Sequence, residues 1–192
     1  MSSRTIVIIG ASTGGPQTLR RVLENFPTIN NVCIIIVQHM PKHINESIRK
    51  SLARVTQMNV KLAEDGDSLK NDVILLAPGD VHLEIVDNQR IRLVDSGKVN
   101  FVRPSIDVAM KSLQVNPSIN AIGVILTGMG SDGVEGVSHI KQLGGATIAQ
   151  DRLSCVVFGM PRLATETGDV DFVLSPETIG DKIAELIQSW NA

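Results

Sequence analysis

The sequence predicts an α/β fold, a three-layer, doubly wound and mainly parallel sheet with an antiparallel hairpin at one edge. Apolar runs of four to six residues alternate with longer amphipathic stretches, the pattern of parallel strands joined by helical crossovers. One segment departs from that pattern: residues 82–86 and 90–94 alternate with a period of two about Asp87-Asn88-Gln89, as the arms of a hairpin do. The chain has 192 residues and is 43% hydrophobic, enough for one sizeable core and too little for two ordinary domains.

Thr5-Ile6-Val7-Ile8-Ile9 reads as a first strand buried on both faces. It runs directly into Gly10-Ala11-Ser12-Thr13-Gly14-Gly15-Pro16, where glycines let the backbone turn sharply and set the Ser12 hydroxyl clear of its own chain. The helix that follows, 16–25, begins with Pro16 in its first turn, where a missing N–H costs nothing, and its free N–H groups face whatever reacts. Further strands are expected over 33–38, 59–63, 73–77, 122–127, 146–149 and 172–174. Further helices are expected over 43–56, 105–115, 133–143, 160–167 and 176–189, with Pro176 again in a first turn. The hairpin and its flanks, residues 80–104, form an insertion. No repeat, low-complexity tract or linker interrupts the chain, so residues 1–192 are expected to be a single domain.

Composition removes several classes of function. The longest apolar runs, 32–37 and 121–126, are far short of the roughly 18–20 residues a membrane helix needs, so no membrane insertion is expected. No signal-peptide pattern opens the chain, which makes a cytoplasmic location the expectation. Cys33 and Cys155 both sit by apolar runs and read as small buried hydrophobes in a reducing compartment, without a disulfide. With 18 basic and 20 acidic residues, a net charge of −2 and 3% aromatics, the chain lacks the field and stacking surface of a nucleic-acid binder.

In an open parallel sheet the ligand crevice lies beyond the carboxyl ends of the strands. Ser12 follows the first expected strand, His39 the second, and Asp132 lies in the loop Thr127-Gly128-Met129-Gly130-Ser131-Asp132-Gly133 after a later one. Those are the residue types of nucleophilic acyl transfer: a hydroxyl to attack, an imidazole to take its proton, and a carboxylate to hold the imidazole's tautomer. Each also has a structural reading. Ser12 fits a helix cap or a phosphate loop, His39 fits a strand-end imidazole bonded to a loop carbonyl, and Asp132 fits an N-cap for the helix that begins near Gly133. Three independent structural roles do not predict convergence at three strand ends.

A dinucleotide site is excluded on specifics, because Ser12 stands where a second glycine is needed and Gln38-His39 where an acid is needed. No P-loop lysine follows the glycines, with Gln17 and Thr18 in that region. His43, His82 and His139 show no metal-ligand spacing, so no metal is assigned. Lys42, Arg49, Lys50 and Arg54 recur beside the His39 loop, either as a solvated face or as a docking surface for an acidic partner.

With these residues in place, the chain resembles the catalytic domain of the chemotaxis protein-glutamate methylesterases, the CheB family, over nearly its whole length. The blocks that carry the resemblance are Gly10-Ala11-Ser12-Thr13-Gly14-Gly15, Gln38-His39-Met40-Pro41, Ala77-Pro78-Gly79-Asp80, Arg103-Pro104-Ser105-Ile106-Asp107, residues 125–133, and Ala149-Gln150-Asp151 with residues 154–161. The resemblance implies Ser12 as nucleophile, His39 as general base and acid, Asp132 as its orienting carboxylate and the Met129 backbone N–H as an oxyanion donor, with Thr13 beside the nucleophile. It implies no cofactor. The implied substrates are γ-methyl glutamate esters on the cytoplasmic helices of methyl-accepting chemoreceptors, with methanol as product, and some members of the family deamidate receptor glutamines. Family members typically carry an N-terminal receiver domain, whereas this chain starts at the catalytic strand and is expected to be an excised domain or a stand-alone member. Two rival readings stand beside this one, a serine hydrolase of the same fold acting on other esters and a non-enzymatic anion- or nucleotide-binding module.

Overall fold

Seven strands form one wholly parallel sheet in the computed structural model, which describes residues 4–191. In chain order they are β1 (Arg4–Ala11), β2 (Val32–Gln38), β3 (Asn59–Leu62), β4 (Val73–Leu76), β7 (Ile119–Ile125), β8 (Ala146–Gln150) and β9 (Phe172–Leu174), and across the sheet they run β3-β4-β2-β1-β7-β8-β9. The order reverses at β1, with β2 on one side and β7 on the other, and the switch point of a doubly wound sheet lies there.

Successive side chains of each strand point to opposite faces, and both faces are covered. Ile6 and Ile8 of β1, with Cys33, Ile35 and Val37 of β2, pack under α3 (Ile106–Lys111), α4 (Val134–Gln142) and α5 (Met160–Glu166). Val7, Ile9, Ile34 and Ile36 pack under α1 (Gly15–Glu24), α2 (Asn45–Ala53) and α6 (Pro176–Asn191). The fold is therefore the expected three-layer α/β sandwich, and β1 and β2 read as unbroken apolar runs because neither face meets water.

The hairpin is β5 (His82–Val86) and β6 (Arg90–Val94), paired antiparallel with Glu84 opposite Arg92. It forms a separate two-stranded sheet. The segment after β3 runs alongside it, with Gly66 N–H on Ile91 O, Leu69 N–H on Gln89 O and Ile91 N–H on Asp67 O. Leu83, Ile85 and Ile91 face inward and join the core under α3.

Two helices are shorter than the periodicity predicts. The helix expected over 43–56 begins with a 3₁₀ turn at Lys42–Ile44 and continues as α2 to Ala53. The one expected over 105–115 stops at Lys111 because the Ser112 hydroxyl turns back onto Ala109 O (2.7 Å) and takes the Ile85 N–H (2.8 Å), ending the ladder at the hairpin. Of the basic residues beside the His39 loop, Arg49 is held by Glu46 at 3.0–3.1 Å and by Val60 O at 3.3 Å. Among the described residues no helix is long and apolar enough to cross a membrane.

Candidate active site

Strand register brings the first two candidates together. Ala11 pairs with Gln38 across β1 and β2, so the next residue on each chain, Ser12 and His39, leaves the sheet side by side. His39 N–H donates to Ala11 O at 3.0 Å, which fixes that step. The third candidate arrives from across the switch point: Asp132, in the loop after β7, accepts from His39 Nε2 at 2.7 Å.

Asp132 caps a helix, but a different one from the helix its sequence position suggests. α4 begins at Val134 with Gly133 as cap and no side-chain cap bond. Asp132 instead reaches the start of α3, accepting the N–H of Ile106 (2.6 Å) and of Asp107 (3.2 Å), the Ser105 hydroxyl (2.6 Å) and Asn100 Nδ2 (3.1 Å). With side chains 9% and 2% exposed, His39 and Asp132 form a nearly dry pair. Burial by itself would raise the Asp132 carboxyl, but the bonds from His39, Ser105, Ile106 and Asn100 outweigh it and hold the group below its ordinary value.

The neighbouring carboxylate goes the other way. Asp107 is pushed up by burial; Gly136 N–H and Asn100 oppose the rise, and the charge of Asp132 adds to it.

An ionised Asp132 fixes the imidazole's tautomer. The proton must sit on Nε2, where the carboxylate accepts it, and Nδ1 is left with a lone pair. Nδ1 is buried and has no hydrogen-bond partner among the described residues. That is the state of an imidazole ready to accept a proton, on the ring nitrogen not tied to the acid.

Around Ser12 the backbone is held from three sides. Its N–H donates to Thr127 O (3.0 Å), its carbonyl accepts Gly15 N–H (2.8 Å), and Gln38 Nε2 donates to the same carbonyl (3.0 Å). Gly14 takes φ +80 as the cap of α1, a conformation that side chains rarely adopt. The first turn of α1 offers fewer free donors than the sequence suggests, because Gly15 N–H is spent on Ser12 O and Pro16 has none. Thr13 is exposed, and its carbonyl accepts the Thr127 hydroxyl at 2.9 Å.

Met129 follows Gly128, which packs directly on the nucleophile candidate: a Cβ on Gly128 would lie 2.7 Å from Ser12 Cβ. The Met129 N–H makes no backbone hydrogen bond among the described residues, and its side chain is exposed. The other thiol in the neighbourhood, Cys155, is pushed up to about 11 by burial and by Asp151, so it is protonated near neutral pH and is no rival to the serine. It is half-buried rather than fully buried, unlike Cys33. Among the described residues no three His, Cys, Asp or Glu side chains gather as a metal would need.

Several residues that build the site carry no chemical signature of their own. Ser105, expected only as the first residue of a helix, is the N-cap of α3, accepting Val108 N–H at 3.3 Å while its hydroxyl proton goes to Asp132. Gln150 Oε1 takes the Thr127 N–H (2.7 Å), and Thr127 in turn holds Ser12 and Thr13. Asn100 and Gln38 act through bonds to residues far away in sequence, which no local pattern reveals.

The family described as CheB methylesterase matches residues 7–183 of this chain. The protein-glutamate methylesterase/protein-glutamine glutaminase of Photorhabdus laumondii subsp. laumondii is 39% identical over 195 residues, covering 100% of this chain and 55% of its own length. Proteins of the same name are 40% identical in Salmonella typhimurium (100% of this chain, 56% of theirs) and 41% identical in Thermotoga maritima (96% and 55%). The chain thus spans about half the length of the curated relatives it matches. Among solved structures, the Thermotoga maritima CheB methylesterase catalytic domain superposes with a TM-score of 0.89 at 40% identity, covering 96% of this chain and 99% of that one.

Proposed function

The chain belongs to the CheB methylesterase family, and from that premise we propose that it is a catalytic domain hydrolysing γ-methyl glutamate esters on the cytoplasmic helices of chemoreceptors, with Ser12, His39 and Asp132 as its triad. The observation that carries the reading is the convergence of the three: Ser12 and His39 leave adjacent strands side by side, and His39 Nε2 is bonded to a buried, ionised Asp132. The relatives' names add a second activity, protein-glutamine glutaminase, and in this proposal it is deamidation of receptor glutamines at the same site.

In this mechanism His39 Nδ1 takes the Ser12 hydroxyl proton as Oγ attacks the ester carbonyl carbon, and the Met129 N–H supports the oxyanion. The C–O bond to the methoxy group then breaks, Nδ1 returns its proton to the leaving oxygen, and methanol departs from an acyl-Ser12. Water repeats the cycle: Nδ1 takes its proton, the hydroxyl oxygen adds to the acyl carbon, Ser12 Oγ leaves reprotonated, and a glutamate carboxylate is released. For a glutamine the leaving group is ammonia. Asp132 stays ionised throughout and steadies the imidazolium that forms twice per turnover.

A protein substrate fits the rim better than a small ester does. Phe101, Met129, Leu153 and Val156 are all exposed on the loops that hold the site, an apolar border suited to the face of an amphipathic helix. A phosphate-binding module is disfavoured by the ionised Asp132 and by the spent Gly15 donor. A cytoplasmic location and a receiver domain on a longer chain, with the residues here acting as one catalytic domain, complete the proposal.

The test is methanol release from membranes carrying the methylated cognate receptor, compared with hydrolysis of a small methyl ester. Receptor turnover should exceed small-ester turnover by orders of magnitude in kcat/KM, and the reverse ranking would overturn the substrate assignment.

The close contact at Gly128 supplies a further prediction. Gly128→Ala would bring a methyl to 2.7 Å from Ser12 Cβ and 2.4 Å from Met160 Sδ. The turn must shift by a sizeable fraction of an ångström, so kcat is expected to fall on the order of 10²-fold. A kinetic comparison beside a thermal melt checks it; a parental kcat would show that Ser12 placement is not limiting.

A further inference from the structure

We propose that Gln38 is a positioning residue for the reacting pair: its buried side-chain amide clamps the backbone carbonyls of Ser12 and His39 together and so sets the approach of Ser12 Oγ to His39 Nδ1. The proposal rests on the reading of Ser12 and His39 as that pair.

Gln38 is the last residue of β2 and is 3% exposed. Its Nε2 donates to Ser12 O at 3.0 Å and to His39 O at 3.0 Å. Both partners are acceptors, so the amide has one workable orientation, with nitrogen toward them. That orientation leaves Oε1 buried with no hydrogen-bond partner among the described residues. A glutamine placed only to fill the core would be expected to satisfy both ends of its amide, since buried polar groups are normally paired. Here one end is left unsatisfied so that the other can join two carbonyls that β1 and β2 deliver side by side.

The surroundings are shaped to this amide. Gly15 lies against it so closely that a Cβ there would stand 2.0 Å from Oε1. Ser12 O also accepts the Gly15 N–H that closes the turn, and Ser12 N–H is pinned to Thr127 O, so the Ser12 residue is held at both of its peptide groups. His39 is likewise held at three points: its N–H goes to Ala11 O, its ring to Asp132, and its carbonyl to Gln38. Among the described residues Gln38 is the one side chain bonded to both members of the pair. Among the described residues His39 Nδ1 also has no partner, and positioning by the backbone substitutes for a direct Ser12–His39 bond in the resting enzyme.

The test uses Gln38→Met, which keeps the length and removes the donors, and Gln38→Glu, which keeps the shape but presents only acceptor atoms when ionised. Ile34→Val and Ile34→Ala, on the same strand and the same sheet face, supply a reference line of activity against thermal midpoint. Activity is read in two ways: methanol release from methylated receptor, and the rate at which a fluorophosphonate captures the nucleophilic serine. Gln38→Met is expected to lose about 10- to 100-fold in kcat and in capture rate relative to an Ile34 variant of equal midpoint, with KM within about twofold of parent, and Gln38→Glu to lose at least as much. The proposal is overturned if both Gln38 variants fall on the Ile34 line, if the loss lies in KM, or if neither variant can be recovered folded, since the residue would then be a folding requirement. Ser12→Ala run in parallel separates the two readings. Parental turnover by Ser12→Ala would remove the pair itself, whereas an inactive Ser12→Ala beside a parental Gln38→Met would remove the clamp alone.

Discussion

Ser12→Ala should abolish methanol release while leaving the fold intact. In the proposed reaction the hydroxyl supplies the atom that becomes acylated, and the Cys155 thiol does not substitute for it, being held protonated by burial and Asp151. Loss of the serine in a triad lowers kcat by on the order of 10⁶, and what remains comes from oxyanion stabilisation and binding. Stability should barely change, because among the described residues the bonds that fix Ser12 are made by its own backbone atoms: its N–H to Thr127 O, and its carbonyl to Gly15 N–H and Gln38 Nε2. Alanine keeps all three, so the melting curve should match that of the parent to within about 0.5 kcal/mol. Methanol assays and thermal melts on the same preparation decide the matter, and a well-folded Ser12→Ala enzyme working near the parental rate would falsify the nucleophile assignment.

Asp132→Asn is expected to damage both rate and stability, and the two effects have separate causes. An asparagine that turns its amide nitrogen toward His39 reverses the tautomer: Nε2 then accepts, and the proton moves to Nδ1, which can no longer take one from Ser12. A wrong tautomer in an otherwise intact triad lowers kcat by about 10⁴-fold. Stability falls because Asp132 accepts from His39, Ser105, Ile106, Asp107 and Asn100, and an amide cannot accept from all of them. Each buried donor left unpaired costs about 1–3 kcal/mol.

This loss depends on pH with a definite sign. The folded-state pKa of Asp132 is depressed below its ordinary value of 3.8. Its stabilisation is therefore complete above that ordinary value and disappears as pH falls through the lower, folded one. Denaturant melts at neutral pH should show the full gap between parent and Asp132→Asn, and the gap should narrow only below about pH 4. A gap that is constant from neutral pH into acid would show that the carboxylate's charge plays no part in holding α3 and the His39 loop.

The elements were legible in the sequence where burial was uniform. β1, β2 and β4 are apolar on both faces, and their order with the amphipathic segments between them was enough to specify a parallel sheet with helices on both sides. The hairpin arms at His82–Val86 and Arg90–Val94 came out of a period of two alone. Less legible were the ends of α2 and α3, which side chains distant in sequence or local 3₁₀ geometry decide. Ser112 ends α3 by bonding the hairpin, a partner no window of helical periodicity contains.

At the site the division is sharper. Ser12, His39 and Asp132 were readable because each follows an apolar run, and the ends of parallel strands share one rim. The role of Asp132 as a cap was also readable, but for the wrong helix, because a cap is recognised in sequence only when it lies next to the helix it serves. Asn100, Gln38, Thr127 and Gln150 were given no role at the site, although the last three lie in the blocks that carry the resemblance, since amides and hydroxyls are common everywhere and take their meaning chiefly from partners tens of residues away.

What the sequence determined by itself was the alternation of strand and helix and the placing of three candidate side chains at strand ends, because periodicity and residue chemistry are local properties. The tertiary structure alone decided which imidazole nitrogen faces Asp132, which helix that carboxylate caps, and how Gln38 joins the ends of two strands. Those follow from the pairing of β1 with β2 and β7, and strand pairing is a long-range choice that becomes visible only when the whole sheet has closed around its core.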